Sequence, residues 1–342
     1  MKAFLPNESL VPWLKDLSSS LEVIAPVDVE GEAVYQTWKG QPPALVGNTL
    51  SSPIEVLMPR TEVLFRYVQD SGRYTFDEPT VPTRIVVGMK PCDLKAVAIL
   101  DRVFGSEPTD RPYLAKRRST LLVSLNCTDP GPWCFCAIMG SGPDAREGFD
   151  LALTDIGSGY LAEAGSAAGV LLIKGCSSGL FLEADGSHEA SRDILLENAR
   201  SVMAEKYGDR SVGHLRRAIR SADWEYLGRQ CLSCGGCSFI CPVCHCFSIA
   251  DLGVPDGERV RCRDTCLLSG FSRMTSGANP LGSIGERMRN WYLDKFEHLP
   301  ERTGLIGCVG CGRCDEICLA QIDRWRLEVL DERSRQQRQQ HK

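Results

Sequence analysis

The chain has 342 residues, 43% of them apolar and 24% charged, with a formal net charge of −5. That length exceeds the usual single domain and predicts two, with ample material for a core. Before residue 221 there are 23 Lys and Arg against 28 Asp and Glu, and after it 16 against 16, so neither half has the basic excess that tracks a nucleic-acid backbone. Only Lys2 precedes any apolar segment, so no signal peptide is expected. The longest aliphatic run, residues 170–173, is far too short for a membrane span. The expected location is cytoplasmic, and 17 cysteines in a reducing compartment point to metal or redox work rather than disulfides.

Residues 1–82 carry nine prolines and two short strand-like pieces, 21–25 and 33–38, and read as an irregular lead-in to the first domain whose two pieces can pair as a hairpin. From residue 83 the pattern changes. Residues 84–88 form an apolar strand closed by a Lys90-Pro91-Cys92-Asp93 loop, and a helical stripe follows with Leu94, Val97 and Ala98. Residues 120–125 form a second apolar strand ending at Asn126-Cys127. Strand, helix, strand predicts a βαβ unit with two parallel neighbours. Residues 150–154 and 160–164 flank a Gly-Ser-Gly turn and predict a hairpin, so 83–188 reads as an α/β core.

Residues 189–220 predict a helical spacer with Ile194, Leu195, Ala199, Val202 and Met203 on one face. Ser283 and Glu286 form a capping box ahead of a stripe of Ile284, Met288, Trp291, Tyr292 and Phe296; Ile322, Trp325, Val329 and Leu330 form another. Residues 221–330 therefore read as a second, helical domain, and 331–342 as a disordered, Gln-rich tail. The fold class expected is α+β, a mixed α/β domain followed by an α-helical one.

Eight cysteines of that second domain repeat one spacing: Cys231-x2-Cys234-x2-Cys237-x3-Cys241-Pro242 and Cys308-x2-Cys311-x2-Cys314-x3-Cys318. Thiolates so spaced wrap a [4Fe–4S] cubane, the fourth cysteine of each run crossing to the other cluster. One cluster would take Cys231, Cys234, Cys237 and Cys318; the other Cys308, Cys311, Cys314 and Cys241. The second run lacks the proline after its last cysteine, but proline is not a ligand. The rival metal is zinc, whose all-cysteine sites use paired CxxC units, and the rival function is a zinc-stabilised interaction module. The two runs lie 66 residues apart, more than a compact β-rich ferredoxin needs, which favours clusters set among helices.

Cys92 and Cys127 each follow one of the two parallel strands, at the sheet edge where ligands of open α/β sheets gather. Cys134 and Cys136 lie one loop away, and the four make a third cluster site. The bland alternative is four buried small side chains. Cys244, Cys246, Cys262 and Cys266 match a zinc or extra cluster site only loosely, and some of them are expected instead to line the first cluster or to replace one of the ligands assigned above; Cys176 stands alone, and His245 is not expected to bind metal. Arg259, Arg261 and Arg263 read as a solvated loop or as partial neutralisation of anionic clusters. No dinucleotide fingerprint, P-loop or paired CxxC ends of a NiFe site is found, so no catalytic residue is assigned.

These motifs resemble one family. Lys90-Pro-Cys-Asp-Leu94, Asn126-Cys127, Cys134-Phe-Cys136 with Met139-Gly140, the Gly148-Phe-Asp-Leu151 segment, the cysteines from 231 to 246, Arg263-Asp-Thr-Cys266 and the 308–314 run are similar to the beta subunit of cytoplasmic NiFe hydrogenases of the sulfhydrogenase type. The related iron–sulfur subunit of anaerobic sulfite reductase is similar too. The resemblance covers most of the chain from about residue 84 and implies a dicluster protein with an α-helical ferredoxin domain. It also implies that Cys92, Cys127, Cys134 and Cys136 belong to the pattern, as do Cys244, Cys246 and Cys266, whereas Cys262 and Cys176 do not. Arg263 stands where the pattern has an aromatic residue. The expected partners are a flavoprotein subunit that binds FAD and NAD(P)H and a catalytic or further iron–sulfur subunit, with this chain relaying electrons between them and no membrane insertion.

Overall fold

In a computed structural model, residues 1–45 and 47–322 are described; Trp325, Val329, Leu330 and the tail expected at 331–342 lie outside them. The described strands are β1 (Lys2–Pro6), β2 (Glu22–Val29), β3 (Glu32–Thr37), β4 (Thr61–Asp70), β5 (Arg73–Asp77), β6 (Arg84–Met89), β7 (Thr120–Leu125), β8 (Leu151–Asp155), β9 (Gly159–Ala164), β10 (Phe247–Leu252) and β11 (Gly257–Arg263). Helices and sheets are both present, as expected for an α+β chain. The chain divides into two compact units.

The first unit comprises Met1–Leu57, Thr80–Asp209 and Val309–Cys311. Its helices are α1 (Leu10–Ser18), α2 (Pro91–Gly105), α3 (Arg111–Arg118), α4 (Cys136–Met139), α5 (Ala167–Lys174) and α6 (Gly186–Tyr207). Its seven-stranded sheet has the order β1-β9-β8-β7-β6-β2-β3, parallel from β2 through β6 and β7 to β8 and antiparallel at both margins. The βαβ unit and the β8–β9 hairpin form as expected.

Trp13 and Leu14 of α1 pack with Ile85, Val87, Val123 and Leu153 into one core. On α6 the buried stripe is Leu196, Ala199, Met203 and Tyr207, while Ile194 and Val202 are exposed. The buried face is thus rotated from the expected one: helical spacing alone fits two adjacent stripes, and packing selects one. The helix starting at Pro91 differs as well. Proline is favoured at the first helical position, so Lys90 becomes the cap and Cys92 lies on the first turn of α2 rather than in a loop.

Close backbone approach fixes one glycine here. A Cβ at Gly169 would lie 1.7 Å from the Asp150 carbonyl oxygen, where α5 crosses the chain entering β8. Gly169→Ala should destabilise the chain by about 3 kcal/mol through overpacking, measured by denaturant unfolding; unchanged stability would contradict that packing.

The second unit comprises Met58–Pro79, Arg210–Cys308 and the chain from Gly312 onward. Residues 58–79, expected in the lead-in of the first domain, therefore belong here. β4 and β5 join β10 and β11 in an antiparallel sheet of order β10-β11-β4-β5. The strand tendency of Val63, Phe65 and Tyr67 is local, but their partners lie nearly 200 residues away and leave no mark nearby. The helices are α7 (Val212–Ser221), α8 (Trp224–Gln230), α9 (Gly236–Phe239), α10 (Ile284–Leu293), α11 (Leu299–Thr303) and α12 (Arg313–Glu316). The Ser283 capping box closes at both ends, with Glu286 N–H donating to Ser283 Oγ at 3.2 Å and Ser283 N–H to the Glu286 carboxylate at 2.8 Å. Met288, Trp291, Tyr292 and Phe296 are buried.

Candidate metal centre

The first cysteine run starts where α8 stops, with Cys231 at its C-cap. Ser233 and Gly235 take positive φ, 53° and 73°, and curl the chain into the single turn of α9. The second run is built the same way: Gly312, at φ 75°, starts the single turn of α12, which carries Cys314. The glycines are needed here because each loop must reverse within two residues.

Cys231, Cys234, Cys237 and Cys318 line one pocket, walled by Leu267, Ile284, Met288 and Ile317. Burial, then the neighbouring cysteines Cys231, Cys318, Cys234 and Cys241, push the Cys237 thiol up to about 12. Burial also pushes Cys231 up, although the Ser233 amide donates to its sulfur at 3.4 Å. The Ile322 amide donates to Cys318 Sγ at 3.4 Å. Thiols that hinder one another's ionisation suit a cationic group whose binding displaces their protons.

A second group surrounds Lys295, a residue to which no sequence motif assigns a role. Its side chain is only 4% exposed. The ammonium donates to Cys241 Sγ at 3.2 Å, Cys244 Sγ at 3.4 Å and the Gly307 carbonyl at 3.2 Å. The Trp291 indole N–H also donates to Cys244 Sγ, at 3.3 Å. Burial works against the charge on Lys295, but Cys241, Cys244 and Cys308 outweigh it and hold the pKa well above the ordinary lysine value. The Cys241 thiol is drawn down, first by its hydrogen bond with Cys244 and then by Lys295.

Cys246 is drawn down to about 7 by a hydrogen bond from Cys266, whose own thiol is pushed up. The His245 ring bonds the Val243 carbonyl at 3.0 Å, and burial lowers its pKa. Cys262 lies on β11 with its sulfur 3.8 Å from Thr61 Oγ1. The three arginines are strand residues rather than a loop. Arg259 pairs with Asp251 and Arg261 with Glu62, while Arg263 donates to the Cys241 and Cys244 carbonyls at 3.2 and 3.4 Å.

In the first unit, Cys127 follows β7 and Cys136 starts α4. Burial pushes the Cys136 thiol up, followed by the nearness of Cys134, Cys127 and Cys311. The segment Val309–Cys311 is threaded here. The Phe135 amide donates to the Gly310 carbonyl at 2.8 Å and Ser141 Oγ to the Val309 carbonyl at 2.5 Å. Asn48 Nδ2 and the Cys134 thiol both donate to the Cys311 carbonyl, at 2.8 and 3.6 Å. Cys127, Cys134 and Cys136 thus come together, with Cys311 beside them. Cys92 is buried on the first turn of α2, whose Pro91 is near enough to Cys136 that a Cβ on Gly142 would meet both. Cys176 stands apart, half-buried, its thiol donating to the Ile173 carbonyl at 3.0 Å.

Residues 230–322 match the family described as a 4Fe–4S dicluster domain. The centre is thus of the iron–sulfur class, and four thiols lining one largely apolar pocket, three half-buried and Cys234 exposed, fit such a group. Over 253 residues, 72% of this chain and 73% of the relative, the sequence is 32% identical to the sulfhydrogenase 2 subunit beta of Pyrococcus furiosus. The chain belongs to the hydrogenase and sulfhydrogenase beta-subunit family, a family of iron–sulfur electron-transfer subunits.

Proposed function

We propose that this chain relays single electrons inside a multi-subunit oxidoreductase, between a flavoprotein subunit that binds FAD and NAD(P)H and a catalytic partner, either a hydrogenase or a sulfur reductase. When bound, [4Fe–4S] clusters supply one-electron storage; the chain's own part is to hold the iron, exclude water and set each potential. Cys231, Cys234, Cys237 and Cys318 hold one cluster beside the short helices of the second unit. Cys308, Cys311, Cys314 and Cys241 hold a second, and Cys92, Cys127, Cys134 and Cys136 a third. The observation that carries this reading is the single pocket lined by Cys231, Cys234, Cys237 and Cys318. The family supports a partner complex, and no helix among the described residues is long and apolar enough to cross a membrane.

Iron and acid-labile sulfide counts on anaerobically prepared protein test the reading. Three clusters give about twelve of each per chain, and two give about eight. A colourless preparation holding zinc would sink it, and a count near eight that Cys136→Ser leaves unchanged would remove the third set alone.

A further inference from the structure

Lys295 lies in a π-helical turn, Asp294–His298, inserted between α10 and α11. The extra residue of such a turn re-aims side chains, and such bulges are frequent at functional sites. Here the turn carries a lysine into the interior, where lysine is almost never fully buried without a partner. The partners are unusual: the ammonium meets two cysteine sulfurs and a carbonyl, not a carboxylate. Its Nζ also lies 4.8 Å from the centre of the Trp291 ring.

The backbone is clamped as firmly as the head group. Gly307 N–H donates to the Lys295 carbonyl at 2.7 Å, and a Cβ on Gly307 would lie 2.8 Å from the Lys295 Cα. Only glycine allows that approach, and the next residue is Cys308. The two ends of the side chain are thereby fixed against the stretch leading into the second cysteine run and against the last cysteine of the first.

We propose that Lys295 sets the reduction potential of the cluster held through Cys241, by placing a fixed positive charge and an N–H donor on the ligand sulfur. The proposal rests on the cluster assignment above. Hydrogen bonds to sulfur and net charge are the levers that tune such centres. The reduced form of a cluster carries one more negative charge than the oxidised form, so a cation at 3.2 Å from the ligand sulfur stabilises the reduced form more. Lys295 is therefore a positioning and tuning residue: it raises the potential of this cluster above the value the same cluster would have without the ammonium.

The test is an EPR-monitored reductive titration of the full chain, prepared anaerobically, at one pH. Wild type is compared with Lys295→Met, Lys295→Gln and Lys295→Arg, with iron and sulfide counted in each. The Met and Gln variants should shift one cluster to lower potential. At a fixed potential its reduced-to-oxidised ratio should fall at least tenfold, about 59 mV for a one-electron couple, with the other signals unmoved. The Arg variant, which keeps charge and donor, should stay within about twofold of wild type. Met and Gln variants that titrate like wild type overturn the proposal. So does equal loss of iron in all three variants, which would make the lysine a packing residue only. Wild-type protein without iron and sulfide would instead bring down the cluster reading itself.

Discussion

Cys237→Ala should remove about four irons and four sulfides per chain and abolish one reduced-state EPR signal, leaving the others in place. Cys237 is the most hemmed in of the four cysteines of its pocket, its thiol pushed up to about 12 by burial and by Cys231, Cys318, Cys234 and Cys241. Alanine there leaves three thiolates for a centre that needs four, in a pocket whose other walls are mostly apolar. If the proposed relay holds, NAD(P)H-driven reduction of an artificial acceptor at the far subunit of the complex should fall to background, while dye reduction by the proposed flavoprotein partner alone persists. Undiminished spins in the variant would show that Cys237 is not a ligand.

Stripping the clusters with an oxidant and a chelator should melt the second unit selectively. Its sheet adds little core: β5 is exposed throughout and β10 nearly so. The buried apolar side chains Leu227, Leu267, Met288, Trp291 and Phe296 belong to the helices and loops that carry or wall the cysteines. Where a bound group organises a fold, its binding free energy is folding free energy. A site filled a thousandfold above its Kd contributes about 4 kcal/mol, which moves the melting temperature by roughly 10 °C for a unit of this size. The first unit keeps its independent core around Trp13, Ile85 and Val123. Hydrogen exchange should therefore accelerate in Trp224–Gln230 and Ile284–Leu293 and stay slow in Arg84–Met89. Equal protection before and after stripping would refute this dependence.

Much of the first unit was legible because its signals are local. The two strands at 84–89 and 120–125 are short apolar runs bounded by turns, and their order with a helix between them leaves one handedness. The spacing of Cys231, Cys234 and Cys237 is likewise a local record of how the chain must curl, and the structure sets them with Cys318 along one pocket.

Three features were not legible. The pairing of β4 with β11 depends on residues distant in sequence, so nothing near Val63 announces it. Lys295 sits beside an amphipathic stripe, where a lysine reads as a solvated residue; only the π turn brings it inward, and Gly307 before Cys308 was the single faint hint. Cys311 was assigned by spacing to the second run, and spacing could not reveal that its backbone is threaded beside Cys134 and Cys136. Spacing groups Cys262 with Cys244, Cys246 and Cys266 and only the family resemblance sets it apart; it lies on β11 against Thr61.

The β4–β5 hairpin bonds to a partner far along the chain, with Tyr67 donating to the Gly253 carbonyl across 186 positions. At about 5–20 residues per second of synthesis, the hairpin leaves the ribosome roughly ten to forty seconds before its partner strands exist. The part of β4 from Thr61 to Tyr67, which pairs with β11 in the finished sheet, is then an unpaired edge on a nascent chain. A cluster that takes Cys318 as a ligand, as proposed, can be completed only later still, once that cysteine has emerged.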